Sequence, residues 1–312
     1  MANLGYIQLT RTCNQKCRFC SNPEAERTIT LEEARDRIAH LKSLDYRGVI
    51  LTGGEPTLYD GITDVMRMVR KNDFECRMVT NGQKTCDFEY LKSLVDAGLQ
   101  IMNVSLHSSR NDMQSFLTDN PDSLKNITAT LENACRLDLG VNINTVINSY
   151  NADHLDDTVR WIVENFPCVY HFVWNNIDPT MNRASENRDT IPRLWQFEIN
   201  LAKAAEYILS KGLTFRVERV PLCFMTEYAQ YSTETRKIVK NEERTVHFLD
   251  ERGYVRQMSF EYGKGEACAV CFLNEICAGL YEMDTYYSSD ELYPVFIKKE
   301  VIIDKILGED AD

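Results

Sequence analysis

Cys13, Cys17 and Cys20 fall within "CNQKCRFC", three thiols in eight positions near the start of a 312-residue chain. Thiolates clustered this tightly hold metal or do redox chemistry, because the thiolate is both the soft metal ligand and the nucleophile. A structural zinc takes four ligands, and no fourth Cys or His stands close by to complete the set. An iron–sulfur cube held by three cysteines leaves one iron open to a substrate or cofactor, so the missing fourth thiol is a feature. Further along, "CAVCFLNEIC" offers Cys268, Cys271 and Cys277, and Cys223 raises this second set to four, enough to close a site completely. Zinc is the rival there, since C-x2-C with two distant cysteines is common zinc arithmetic.

The elements around these thiols follow from periodicity. Strand signals at 6–11, 48–54, 75–82, 100–109, 141–151 and 168–175 alternate with helical stretches at 30–44, 60–71, 87–97, 122–138 and 153–165. Thr30 with Glu33 three positions on reads as a helix N-cap. Strict β-then-α alternation predicts an α/β fold of parallel strands with helical crossovers, as a partial or full barrel or an open sheet. Chemistry in such sheets gathers at the carboxyl ends of the strands, which is where Cys13, Gly53-Gly54-Glu55 ("LTGGEP") and the "TNG" of 80–82 fall. After residue 212 the pattern changes: 214–223 reads as a strand ending at Cys223, and 247–260 as a hairpin turning at Glu251 to Gly253.

Composition excludes several classes. With 47 carboxylates against 35 Lys and Arg, the net charge is −12, and no long basic run overrides that field, which disfavours nucleic acid. No apolar run has the length of a membrane helix and the N-terminus lacks a signal-peptide pattern, so a cytoplasmic location is expected. In a reducing cytosol eleven cysteines are not expected to form a disulfide framework.

The spacing C-x3-C-x2-C with Phe19 before its last cysteine, followed by G-G-E-P at the end of the next strand, resembles the radical S-adenosylmethionine superfamily. That resemblance implies a partial (β/α)6 TIM-like barrel over residues 1–212, a 4Fe-4S cluster on Cys13, Cys17 and Cys20, and S-adenosylmethionine chelated to the open iron. It implies cofactor contacts at Gly53, Gly54, Glu55, Ser105, His107 and Asn144, with Asn148 in the same region. The bland alternatives are an ordinary Gly-Gly turn and a satisfied structural histidine at His107.

Cys223, Cys268, Cys271 and Cys277 behind a hairpin resemble the SPASM and shorter Twitch extensions, which implies a second, fully ligated 4Fe-4S cluster in a small domain over 213–312, with zinc as the alternative. The expected activity is reductive cleavage of S-adenosylmethionine to a 5′-deoxyadenosyl radical and hydrogen abstraction from a peptide or small polar metabolite, for net oxidation or bond formation. An external flavodoxin- or ferredoxin-type donor would supply electrons. The alternative is a non-catalytic iron–sulfur or zinc protein that senses redox state or scaffolds a partner. The triad begins at Cys13, leaving leader-peptide recognition to a separate partner, and no Gly-rich tail like that of the molybdopterin-pathway member ends the chain.

Cys76, Cys86, Cys135 and Cys168 are isolated and read as small buried hydrophobes, with a distal ligand at Cys76 or Cys86 as the lesser option. The polar stretch 178–192 is a candidate lid or a plain linker. The tyrosine-rich stretch 278–296 is core packing or a substrate wall.

Overall fold

The computed structural model describes residues 4–22 and 26–308; the few remaining positions, including the end of the expected C-terminal unit, lie outside the described residues. In chain order the first half comprises β1 (Leu4–Thr10), α1 (Leu31–Ser43), β2 (Gly48–Gly53), α2 (Ile62–Lys71), β3 (Glu75–Thr80), α3 (Phe88–Asp96), β4 (Ile101–Ser105), α4 (Asn111–Thr118) and α5 (Ser123–Arg136). The second comprises β5 (Gly140–Ile147), α6 (Leu155–Asn165), β6 (Val169–Asn176), α7 (Asn182–Glu186), α8 (Leu194–Ser210), β7 (Thr214–Glu218), α9 (Thr233–Lys240), β8 (Arg244–His247), β9 (Tyr254–Gln257) and α10 (Lys299–Gly308). Thr30 caps α1 through the expected reciprocal box: its hydroxyl accepts from the Glu33 amide at 3.1 Å, and Glu33 accepts from the Thr30 amide at 2.7 Å.

One sheet runs β7-β6-β5-β4-β3-β2-β1-β8-β9, parallel throughout except for the final β8–β9 hairpin. It does not close, so the architecture is a partial barrel with β7 and β9 as its edges. The six expected strands stand adjacent and in order. The stretch 214–223 behaves differently from a single strand ending at Cys223: β7 stops at Glu218, because Arg219 turns to φ 58° and Pro221 lacks the amide a further ladder bond needs. It pairs in parallel with β6, and β8 pairs in parallel with β1, so both belong to the same sheet as the barrel strands.

Side chains alternate across the sheet as strand geometry requires. One face is aliphatic: Ile7, Leu9, Val49, Leu51, Met78 and Val104 are fully buried beneath the helices. The other is largely polar, and Gln8, Thr52, Arg77, Asn103, Asn142 and Asn144 line a lumen of about 770 Å³. A parallel sheet normally buries both faces in apolar packing. A wet inner face leaves this barrel with a chamber rather than a second core. Among the described residues, no helix is long and apolar enough to cross a membrane.

Candidate active site

The cysteine loop leaves β1 where the pairing register with β2 slips between Gln8 and Thr10. Such irregularities re-aim a chain at a site. The loop is then tied to the end of β2: Gly54 donates its amide to the Thr10 carbonyl at 2.7 Å and Glu55 to that of Thr12 at 2.8 Å. The glycines permit this crossing. A Cβ on Gly53, whose φ is 141°, would stand 2.2 Å from the Thr10 oxygen, and one on Gly54 would stand 2.4 Å from the oxygens of Arg11 and Thr12. The Gly-Gly pair therefore does more than admit a ligand, since it lets the backbone of the cysteine loop cross the strand end.

Glu55 is buried, and its carboxylate is largely spent within the chain. Oε1 accepts from the Thr57 amide (3.1 Å), the Thr57 hydroxyl (2.6 Å) and the Thr80 hydroxyl (2.8 Å), and Oε2 from the Asn81 amide (2.7 Å). Burial raises its pKa, and these donors oppose the rise. Glu55 thus brackets the ends of β2 and β3 together, with acceptor capacity left only on Oε2. Asn81, from "TNG", reaches the cysteine loop through Nδ2, 2.7 Å from Asn14 Oδ1 and 3.8 Å from Cys13 Sγ.

Cys13 is exposed, while Cys17 and Cys20 are half-buried. Burial raises the Cys17 thiol, and the neighbouring Cys20 and Cys13 thiolates raise it further. A cationic centre is what offsets such crowding of thiolates. Among the described residues, no three of His, Cys, Asp and Glu converge at the spacing of a single ion. Three thiolates on one loop are the donor chemistry of an iron–sulfur cube with one iron left open.

Ser105 and Asn144 are register partners on β4 and β5 and point to the same face. Asn144 lines the lumen, and its Oδ1 is buried without a hydrogen-bond partner, an orphaned acceptor that a ligand donor would satisfy. His107 is buried, and its Nδ1 accepts from the Val146 amide at 3.2 Å while its ring meets Phe19 edge-on at 4.5 Å. Burial lowers its pKa to about 3, so it is a neutral imidazole linking the cysteine loop to β5. Asn148 is spent on its own turn, donating to the Val146 carbonyl at 3.0 Å and accepting from the Tyr150 amide at 3.0 Å.

Cys223, Cys268, Cys271 and Cys277 are brought around one small enclosure with Lys264 and Tyr293. The Gly279 amide points at Cys277 Sγ (3.3 Å), a contact that favours its thiolate, and the Val295 amide points at Cys271 Sγ (3.4 Å). Burial pushes the Cys223 thiol up to about 12. Of the isolated cysteines, Cys76 is a buried core residue, and the Cys86 thiol donates to the Gln83 carbonyl at 3.1 Å. Cys135 and Cys168 are not isolated. They form a disulfide with Cα atoms 5.0 Å apart, because the end of α5 packs beside the chain entering β6, 33 residues on.

The sequence marks the stretch 178–192 as a lid or a plain linker. It packs on the cysteine loop: Arg183 Nε donates to the Cys17 carbonyl at 3.0 Å and the Ala184 amide to the Cys20 carbonyl at 3.2 Å. From the opposite side the β8–β9 turn ties down Arg11, whose guanidinium donates to Asn22 Oδ1 at 2.8 Å and to Asp250 Oδ2 at 2.5 Å. In the stretch 278–296, Tyr287 is buried and donates to the Ile177 carbonyl at 2.8 Å, whereas half-buried Tyr281 donates to Asp178 at 3.2 Å.

Comparison with known proteins matches residues 7–162 to the Radical SAM superfamily. The probable GTP 3′,8-cyclase of Thermococcus kodakarensis is 32% identical over 160 residues, covering 50% of this chain and 51% of that protein. The GTP 3′,8-cyclase of Aquifex aeolicus is 30% identical over 177 residues, 54% of each. The chain spans about half the length of the curated relatives it matches. Among solved structures, anSMEcpe with bound AdoMet and the Cp18Cys peptide superposes with a TM-score of 0.66 at 15% identity, covering 98% of this chain and 97% of that one. Streptococcus suis SuiB bound to S-adenosylmethionine gives 0.65 at 17% identity, over 90% and 73%. The two structural likenesses share the barrel architecture, and the family match covers half the chain: this protein belongs to the radical S-adenosylmethionine superfamily.

Proposed function

We propose that the chain is a radical S-adenosylmethionine enzyme whose cluster is held by Cys13, Cys17 and Cys20 and whose substrate is a peptide or small polar metabolite. What supports this is the cysteine loop tied to the Gly54 and Glu55 amides and to Asn81 at the strand ends of a sheet whose polar lumen holds the orphaned Asn144 carboxamide. When bound, the cluster and S-adenosylmethionine supply one-electron C–S cleavage and a 5′-deoxyadenosyl radical. The protein supplies aim and isolation. Gly53 and Gly54 would let backbone approach the cofactor, Glu55 Oε2 would offer an acceptor to its ammonium, and Ser105 and Asn144 would offer it polar contacts. His107 stays neutral and acts by holding Phe19 and the cysteine loop in place.

Residues 213–312 form, in this reading, the functional unit that carries the auxiliary cluster on Cys223, Cys268, Cys271 and Cys277, although β7 and β8 extend the sheet of the barrel unit 1–212. Four thiols leave that cluster no open iron, which suits electron relay and hence net oxidation or bond formation. A flavodoxin- or ferredoxin-type donor and a cytoplasmic location complete the proposal. A nucleotide substrate is the second reading, favoured by the likeness to GTP 3′,8-cyclases over half the chain.

The test is anaerobic reconstitution with dithionite and S-adenosylmethionine, scoring 5′-deoxyadenosine with candidate peptides, amino acids and GTP. Absence of 5′-deoxyadenosine under every condition, with cluster loaded, would leave the non-catalytic alternative standing.

A further inference from the structure

The first residue after β7, Arg219, has φ 58°, a backbone conformation that an L side chain rarely adopts. Strain of this kind persists where surrounding contacts over-determine it, and it clusters at functional sites. Here Glu234 Oε1 accepts the Arg219 amide at 3.0 Å, Asn176 Nδ2 donates to its carbonyl at 3.3 Å, and the guanidinium donates from Nη1 to the Asn176 carbonyl at 3.3 Å. The guanidinium carbon sits 5.4 Å from the centre of the Tyr281 ring. Among the described residues its other N–H groups meet no protein acceptor, so most of the fork is open.

The same tyrosine holds an opposite charge. Tyr281 donates its hydroxyl to Asp178 Oδ1 at 3.2 Å, and Oδ1 also accepts from the Thr180 amide and hydroxyl at 3.2 and 2.7 Å. Oδ2 takes no donor among the described residues. Glu218, its chain neighbour, is the strongest opposite charge acting on Arg219 and is itself paired with Arg244 at 2.7 Å; Asp178 comes next within electrostatic reach, and among the described residues it closes no ion pair with Arg219. Arg252, the other cation within reach of Asp178, is committed to Asp250 at 2.6 and 2.8 Å. Two opposite charges therefore share one tyrosine at the carboxyl ends of β6 and β7, the chemically active rim of such a sheet, and stop short of each other.

We propose that Arg219 and Asp178 bracket the α-amino-acid head group of the substrate, carboxylate on the open Arg219 fork and ammonium on Asp178 Oδ2, with Tyr281 fixing the gap. An anion alone would meet the Asp178 charge, and a cation alone would meet that of Arg219. A zwitterion offers each of these two charges its opposite. The inference rests on the proposed function in taking the barrel mouth as the substrate's place, and it narrows the substrate to a small metabolite of the amino-acid class.

The test is equilibrium dialysis of radiolabelled L-alanine against anaerobic, cluster-loaded protein saturated with S-adenosylmethionine and kept without reductant, competed by propionate and by ethylammonium. L-alanine should bind about ten-fold or more tightly than either single-charge analogue, a difference worth about 1.4 kcal/mol per decade. Arg219→Gln and Asp178→Asn should each remove that preference while iron content and circular dichroism stay those of wild type. Equal binding of propionate, no retention of L-alanine, or unchanged binding in two folded variants overturns the bracket. Because no turnover is scored, 5′-deoxyadenosine formation without L-alanine binding would sink this inference alone, and L-alanine binding without 5′-deoxyadenosine would sink the radical reading alone.

Discussion

Arg183 donates from Nε to the carbonyl oxygen of Cys17 at 3.0 Å, across 166 residues of sequence. The segment that follows β6 thereby grips the backbone of the cysteine loop, and the Ala184 amide adds a second bond at Cys20. Burial raises the Cys17 thiol, and the Arg183 charge opposes that rise.

Loss of this grip should loosen the loop. A hydrogen bond from a charged donor contributes about 1.5–3 kcal/mol, so Arg183→Ala should release iron to an anaerobic chelator on the order of ten-fold faster than wild type. Equal release rates would mean the clamp is incidental.

The crossing of the cysteine loop over β2 makes Gly54 intolerant of a side chain. A Cβ there meets two backbone oxygens at 2.4 Å, neither of which can swing away. Gly54→Ala should cost about 1–3 kcal/mol, the usual range for overpacking, lowering the melting temperature by several degrees and reducing iron loading together. A variant of unchanged Tm would show that the loop shifts freely, contrary to its amide bonds with Thr10 and Thr12.

The two thiol sets should titrate iron independently. Wild type prepared anaerobically should hold about eight irons, the Cys13→Ala/Cys17→Ala/Cys20→Ala variant about four, and a Cys268→Ala/Cys271→Ala variant about four, as two cubes require. Stoichiometric zinc in the triad variant would assign the second set to a structural metal and remove electron relay from the mechanism.

His107 predicts an acid sensitivity of the metal-free protein. Its folded pKa, lowered to about 3 by burial, lies below the unfolded value near 6.5, so unfolding takes up a proton between those limits. Its contribution is intact above pH 6.5 and is lost as pH falls towards 3. Urea unfolding should show a loss between pH 7 and pH 5 that is about 2 kcal/mol larger in wild type than in His107→Asn. Parallel losses in the two proteins would place the proton elsewhere.

Much of the scaffold was legible because its signals are local. The Thr30 and Glu33 capping box, the six strand runs and the hairpin turn around Gly253 each depend on residues a few positions apart, although the first hairpin strand, Arg244–His247, lies ahead of the expected 247–260. Helix α4 carries too little periodicity to register in the sequence, being eight residues that end at Thr118, with Asp119 in the left-handed region as the cap, two before Pro121. Gly53 and Gly54 were legible as special, but the reason was hidden: the obstacle is the backbone of residues 10–12, which only the folded sheet brings there.

By itself the sequence determined the three-thiol spacing, its position after the first strand, the G-G-E-P at the end of the second and the four later thiols, since each is a short-range pattern of residue types. Long-range folding alone brings Cys135 to Cys168, joins β7 and β8 to the barrel sheet, sets Arg183 on the Cys17 carbonyl and gives Arg219 and Asp178 a shared contact in Tyr281. Those contacts join residues tens to hundreds of positions apart. They form when helices close over the aliphatic face of the sheet and bring the strand ends to one rim, an outcome of the summed burial of the whole chain that no local stretch encodes.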